Sequence, residues 1–212
     1  MSLLTISDIK NALQNRTPEP IGGWSYYSVM LPLVEKDDEL HILYELRSKT
    51  LNVQPGEVSF PGGSIEKDET LAEAAIRETA EELGLPKSAI EIISELDYLI
   101  TPGNRTLYCF LGKIDLDAIE NAEINSHEVE DFFLVPLKWL IANEPKIYVN
   151  RIVTEQANDL PMDKLAPKGK YNWRSGKSSV PVYVWFDSAK NIERYIWGMT
   201  ARLTMSFVNT IK

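Results

Sequence analysis

Apolar residues recur along the chain at two periods, and each change of period marks an element. Leu3, Leu4, Ile6, Ile9 and Leu13 stand near helical spacing across residues 3–15, and TPEPIGG then breaks the helix. WSYYSVMLPLVE and LHILYELR are rich in β-formers and flank the turn KDDE, which predicts a hairpin. A polar stretch, KTLNVQPGE, leads to a short strand, VSF, that runs into PGGS. Helical spacing returns within residues 63–85, GSIEKDETLAEAAIRETAEELGL. AIEIISELDYLI, NRTLYCFLGKI and VEDFFLVPL then read as strands and PLKWLIAN as a short helix. Residues 150–180 have weak patterning and read as a long loop, VPVYVWF as a strand, and ERYIWGMTARLTMSFVNTI as a closing helix. Strands and helices interleave without a regular βαβ repeat, which favours a mixed α+β or α/β/α sandwich over a doubly wound sheet.

Composition narrows the picture. A chain of 212 residues with 44% hydrophobic content can bury one core. The expectation is a single domain over 1–212, with the N-terminal helix at about 3–15 and a C-terminal strand and helix at about 180–210. A net charge of −9 excludes nucleic-acid binding driven by a broad basic surface, so an anionic substrate has to be met locally. No window approaches the roughly 18 apolar residues of a membrane span, and MSLLTISDIKNALQNR carries no basic leader ahead of an apolar block. The lone Cys109, inside TLYCFLGKI, reads as a core residue in a reducing compartment. The expectation is a soluble cytoplasmic protein without nucleic-acid or membrane partners; a homodimer stays open.

Residues 63–85 carry the chemistry. At about 100° per residue, Ala72, Ala75, Ile76, Thr79 and Leu83 form a core-facing stripe, and Glu78, Glu81 and Glu82 fill the adjacent arc. Glu78 and Glu82 are like charges four residues apart, which costs a few tenths of a kcal/mol, and neither lysine nor arginine stands at their compensating positions. Positive charge from outside the helix resolves this, and a hard divalent cation such as Mg²⁺ suits carboxylate oxygens. Gly62 and Gly63 ahead of the helix let backbone approach a ligand closely. Arg77 either pairs with Glu69, read as eight residues earlier on the same helix, or lies free on the surface.

Gly63, Glu69, Arg77, Glu78, Glu81, Glu82 and Gly84, closed by Leu85, resemble the Nudix box, Gx5Ex7REUxEExGU, at all seven fixed positions. Chance agreement is on the order of one in 10⁸ per window. Thr79 departs, standing where a bulky aliphatic is expected. The resemblance implies a Nudix hydrolase: an α/β/α sandwich with a mixed sheet that cleaves a nucleoside diphosphate linked to another moiety, using Mg²⁺ or Mn²⁺. It implies Glu78 and Glu82 as metal ligands, Glu81 as ligand or water activator, and Glu69, Arg77 and Gly84 as structural members of the motif. Nudix enzymes often take a further ligand or base from a later loop, and Glu128 in NSHEVEDFF is chosen over Glu130; His127 and His41 receive no role.

Upstream, ILYELRSKTLNVQPGEVSFPGG is similar to the signature of coenzyme A pyrophosphatases, LLTxR(S/A)x3Rx3Gx3FPGG. Arg47, Ser48, Gly56, Phe60, Pro61, Gly62 and Gly63 match. Tyr44, Glu45 and Leu46 depart in the leading segment, and Asn52 stands where an arginine belongs. Arg47, Ser48, Gly62 and Gly63 are thereby candidates for substrate binding. The implied reaction is hydrolysis of coenzyme A or acyl-coenzyme A to 3′,5′-ADP and (acyl-)4′-phosphopantetheine. Asn52 keeps alive ADP-ribose, a dinucleotide or NADH as the substrate, and a sensing module without catalysis is the remaining alternative. The segment around IWGMTA resembles the end of that subfamily, although Trp197, Met199, Leu203 and Met205, like Tyr183, Trp185 and Phe186, read by spacing as core. Lys164, Lys168, Lys170, Arg174 and Lys177 give the predicted loop a basic patch, read as solvated charge or as a contact for an anionic substrate tail.

Overall fold

A computed structural model describes residues 4–166, 171, 173 and 175–212. Helix α1 (Ile6–Leu13) starts at a capping box: the Thr5 hydroxyl accepts from the Asp8 N–H at 3.3 Å while the Asp8 carboxylate accepts from the Thr5 N–H at 2.8 Å. It lies within the predicted 3–15, of which Leu3 falls outside the described residues, and its apolar stripe remains exposed.

Strands β1 (Ser25–Lys36) and β2 (Glu39–Arg47) form the predicted hairpin. Asp37 and Asp38, at φ 52° and 60°, supply a two-residue turn with left-handed backbone at both positions, whose twist matches that of the strands. The two strands pair from Lys36↔Glu39 to Leu33↔Ile42, and the chain that follows β2 fills the fork beyond. There β3 (Val58–Ser59) pairs with Glu45 and Leu46 of β2, and β4 (Gly62–Ser64) pairs with Tyr27 to Val29 of β1. Glycine is required at the second wedge: at Gly62, φ 154°, a Cβ would sit 2.4 Å from the Ser28 carbonyl oxygen and 2.6 Å from Val29 Cα.

Helix α2 (Leu71–Leu83) follows, then β5 (Ile90–Glu95), β6 (Leu99–Thr101) and β7 (Arg105–Ile114). β7 runs parallel to β1 and antiparallel to β5 and β6, so the sheet is mixed. After α3 (Leu116–Glu120), β8 (Val129–Pro136) pairs antiparallel with β2 to complete eight strands. Then come α4 (Leu137–Ala142), β9 (Lys146–Ile152), α5 (Met162–Leu165), β10 (Gly176–Asp187), β11 (Ile192–Trp197) and α6 (Gly198–Ile211). β11, β10 and β9 make a second, antiparallel sheet in that order.

Alternation along β1 sends its side chains into two cores. Met30 and Val34 pack with Leu43, Phe110 and the Ala75, Ala80 and Leu83 face of α2. Val29, Leu31 and Leu33 pack with Ile42, Tyr44, Cys109 and the Ala201, Leu203, Phe207 and Val208 face of α6. The large sheet thus lies between helices, as the sandwich expectation requires. Cys109 is fully buried, and burial pushes its thiol up to about 12.

Two readings need correction. The predicted 150–180 loop holds the end of β9, all of α5 and the start of β10; of its basic residues, Lys164 and Lys177 are exposed, and Lys168, Lys170 and Arg174 lie outside the described residues. ERYIW is strand, not helix: it pairs with β10, buries Arg194 and Ile196 in period two, and gives way to α6 at Gly198, φ 64°.

The two sheets are joined by a buried charge. Arg194 of β11 donates from Nη2 to Asp131 of β8 at 2.6 Å and to Asp187 at 3.4 Å, with its guanidinium 4.8 Å from the Phe133 ring centre. Burial alone would raise the Asp131 carboxyl, but hydrogen bonds from Lys190 and Arg194 outweigh it and hold Asp131 below its ordinary 3.8. A lowered folded value means that this stabilisation is present above 3.8 and is lost as pH falls through the folded value. Asp131→Asn should therefore cost about 1–3 kcal/mol at neutral pH in urea unfolding, and the gap from wild type should close as pH drops below about 3.8.

Candidate functional site

Helix α2 is held at both ends. The Thr70 hydroxyl accepts from the Glu73 N–H at 3.2 Å and Glu73 accepts from the Thr70 N–H at 2.9 Å, a capping box. At the other end Gly84 takes the left-handed conformation, φ 66°, while its own N–H and that of Leu85 return to the Ala80 carbonyl. The buried face consists of Ala74, Ala75, Thr79, Ala80, Glu82 and Leu83, with Ala72 and Ile76 only half buried. The stripe is rotated from the expected one toward the acidic arc, and alanines on it let the helix lie close to the sheet. One carboxylate of the arc is carried inside as a result: Glu82 is 4% exposed.

Positive charge reaches Glu78, though not Glu82, from Arg77, which lies on α2 itself and not outside the helix as expected. Its Nε and Nη2 donate to the two Glu69 oxygens at 2.8 and 3.0 Å, and Nη2 also donates to the Ser64 carbonyl at 3.0 Å. Nη1 lies 2.9 Å from Glu78 Oε1 and 3.3 Å from Glu81 Oε2. Glu69 precedes Thr70 and so stands in the loop, not on the helix as the spacing suggested; Arg77 clamps that loop to the helix. The hydrogen bonds from Arg77 hold Glu69 below the ordinary carboxylate range. Glu81 is exposed and Glu78 half buried, its carboxylate occupying the space where a Cβ on residue 63 would be, 2.2 Å from that position.

The inner carboxylates have no such relief. Glu82 Oε2 accepts from the Gly62 N–H at 2.8 Å. Beside it, Glu45 of β2 is fully buried: Oε1 accepts from the Ser59 hydroxyl at 2.7 Å, Oε2 has no partner, and Arg47 Nη1 is 3.9 Å away. Glu128 enters from the turn before β8. Its side chain accepts from Asn125 at 3.2 Å, and its carbonyl accepts from the Ser48 N–H at 2.8 Å. Burial, then the repulsion of Glu45, pushes Glu82 far above the usual range; burial also raises Glu45, with Glu128 and Glu78 adding repulsion, and raises Glu78. Among the described residues no three acids, histidines or cysteines are already drawn together as a ligand set, and Glu78 is turned onto Arg77. The chemistry nevertheless fits a hard divalent cation: several mutually repelling carboxylates, and a buried oxygen without a partner.

A cavity of about 580 Å³, within the range of small-molecule sites, adjoins this cluster. Arg47, Ser59, Gly62 and Gly63 line it alongside apolar walls from Val29, Leu107, Trp197, Met199 and Leu203. Trp197, Met199 and Leu203, read from spacing as core, are cavity wall; Leu203 also packs in the core, and Met205 is half buried. Tyr183 is core as expected, Trp185 packs against the core, and Phe186 is exposed. Arg105 also lines the cavity, 5.9 Å from the Tyr27 ring centre. Ser48 is buried against Thr50, at 2.9 Å between hydroxyls, and Asn52 is exposed in the loop after β2.

The sequence pattern of the NUDIX domain matches residues 26–156, which include β1 from its second residue, β2 to β8, the clamp and every carboxylate of the cluster. The chain belongs to the NUDIX family. Its relatives include the mouse protein "Peroxisomal coenzyme A diphosphatase NUDT7", 31% identical over 139 residues, which are 64% of this chain and 56% of that protein. "Nudix hydrolase 3" of Caenorhabditis elegans is 37% identical over 148 residues, 66% of this chain and 59% of that protein. The chain thus spans somewhat more than half the length of these two relatives. An uncharacterized Nudix hydrolase, NudL, of Yersinia enterocolitica is 24% identical over 208 residues, 94% of this chain and 89% of its own length.

The Nudix motif accounts for Glu69, Arg77, Glu78, Glu81, Glu82 and both framing glycines. Glu45, Ser59, Arg105 and the cavity wall of α6 lie outside it. The signal for Glu45 was one acid inside an otherwise apolar strand, HILYEL.

The framing glycines differ in what a Cβ would meet. At Gly84 it would lie 2.0 Å from the Glu123 carbonyl oxygen on a backbone with positive φ; at Gly63 it would meet the movable end of Glu78. Gly84→Ala should lose about 2 kcal/mol or more, and Gly63→Ala less, when both are measured by urea unfolding of the metal-free protein.

Proposed function

We propose that this site hydrolyses the diphosphate of coenzyme A or an acyl-coenzyme A, giving 3′,5′-ADP and (acyl-)4′-phosphopantetheine. The observation that carries the reading is the shared wall of the carboxylate cluster and the cavity. Gly62 donates its N–H to Glu82, Gly63 lies against Glu78, and both glycines face the cavity that Arg47 lines. The name of the mouse relative, a coenzyme A diphosphatase, supports the choice of substrate.

Glu78 and Glu82, joined by Glu81, would hold Mg²⁺ or Mn²⁺, which neutralises a diphosphate and lowers the pKa of the water that attacks phosphorus. Arg47 offers paired donors to phosphate oxygens from the cavity side. The bare backbone at Gly62 and Gly63 leaves room for the diphosphate to lie against β4. Glu128 accepts the proton of the attacking water at its carboxylate, oriented by Asn125 and held beside the end of β2 by the bond from the Ser48 N–H. The P–O–P bridge breaks, and one phosphate leaves on each product. Trp197, Met199 and Leu203 supply an apolar wall for the pantetheine arm and keep water from it.

Another nucleoside diphosphate derivative, such as ADP-ribose or NADH, is the second reading. It is favoured by Asn52, which puts no cation where the coenzyme A signature has one to meet a 3′-phosphate.

A substrate panel with Mg²⁺ or Mn²⁺, read by chromatography of the products, should give 3′,5′-ADP and phosphopantetheine from coenzyme A at the highest kcat/KM. A much higher kcat/KM for ADP-ribose would transfer the assignment to the second reading. Glu82→Gln should lower kcat/KM by about 10²-fold or more without lowering the unfolding temperature of the metal-free protein. Retained activity would remove Glu82 from the metal site.

A further inference from the structure

Glu45 does work that the Nudix motif does not describe. It lies on β2, across the fork from α2, and its side chain is fully buried. Carboxylates in such positions usually have both oxygens hydrogen-bonded, because an ionised group taken out of water costs several kcal/mol otherwise. Here Ser59 satisfies only Oε1, and Oε2 is left without a partner. Arg47 does not close the gap: its nearest nitrogen is 3.9 Å from Oε1, and its own Nε is buried and unpartnered. The groups whose charges act on Glu45 are Glu128 from the turn before β8, Glu78 and Glu82 from α2, and Arg47 from its own strand. Helix α2 and the turn before β8 present it with negative charge, β3 with one hydroxyl, and only its own strand with positive charge.

An apolar or hydroxylic residue would fill this place at lower cost, and the coenzyme A signature has threonine there. An acid in its stead is stabilised only if a cation arrives. We infer that Glu45 is a metal-facing residue, contributing from the sheet side to the divalent cation that Glu78 and Glu82 contact from the helix side. The inference rests on the proposed metal site and adds to it a fourth carboxylate from a different element, tied to β3 through Ser59. Cation binding then draws β2, β3 and α2 together, and with them Arg47 and Gly62 at the cavity wall.

The test is calorimetric titration of the 212-residue protein with Mn²⁺ alone, without substrate, together with thermal unfolding in chelator. Glu45→Gln keeps the shape and removes the charge, and should weaken Mn²⁺ binding roughly 10- to 100-fold while the metal-free unfolding temperature stays level or rises. Glu45→Asp keeps the charge and should retain more of the affinity than Glu45→Gln. Wild-type affinity in Glu45→Gln would overturn the inference, as would a metal-free protein made less stable by it, which would make Glu45 a structural partner of Ser59 and Arg47. Equal loss in both variants would point to packing and overturn it too. Failure of wild type itself to bind Mn²⁺ would overturn the proposed metal site, and the inference with it.

Discussion

Negative charge is buried between β2 and α2, and the local architecture is arranged around it. Glu82 is almost wholly inside and Glu45 entirely so, with Glu78 and Glu128 close enough to add repulsion. A fold can hold such a group only by pairing the charges or by raising their proton affinity. Both occur. Arg77 pairs the outer acids and locks the loop that precedes the helix. The inner acids meet one backbone N–H, one hydroxyl and a distant guanidinium, so their proton affinity rises instead. Arg77 and Arg47 stand against six carboxylates, those of Glu45, Glu69, Glu78, Glu81, Glu82 and Glu128, a deficit that a divalent ion and its substrate would change.

The fork of the β1–β2 hairpin makes this arrangement possible. Had the hairpin stayed paired along its length, β3 and β4 would have no place, and the Gly62 N–H would not reach Glu82. The parting of the strands admits a turn whose residues can approach both neighbours only without side chains: at Gly62 the obstacle is the β1 backbone, at Gly63 it is Glu78 itself. The same turn exposes its other side to the cavity, so one piece of backbone fixes a carboxylate and borders the substrate space. α6 completes the wall from below, tied to β3 by the Thr200 hydroxyl on the Val58 carbonyl at 3.2 Å and to β2 by Thr204 and Tyr44 at 3.0 Å.

Much of this was legible in the sequence because it depends on spacing. The hairpin and the acidic helix follow from residues at fixed separations, the Arg77–Glu69 pair was one of two readings that the spacing allowed, and Gly84 was a motif position whose role as the helix cap only the structure gives. What stayed hidden depends on elements distant in sequence. Glu45 lies in a run of buried residues on a strand covered on both faces, where alternation gives no sign of which side a residue takes. The rotation of α2 that buries Glu82 comes from its alanines meeting the sheet. ERYIW has the residue types of a strand as much as of a helix, and only its partner β10 decides between them. Trp197, Met199 and Leu203 are apolar for a cavity wall as they would be for a core, so pattern cannot tell the two apart.

The central claim is that the buried repulsion is relieved by a divalent cation. Thermal unfolding of the wild-type protein across a Mg²⁺ or Mn²⁺ titration, starting from chelator, tests it without reference to any substrate. The unfolding temperature should climb with the logarithm of metal concentration, reaching about 5–10 °C above the metal-free value at a hundred times the dissociation constant. An unfolding temperature indifferent to both ions at saturating concentrations would contradict the account.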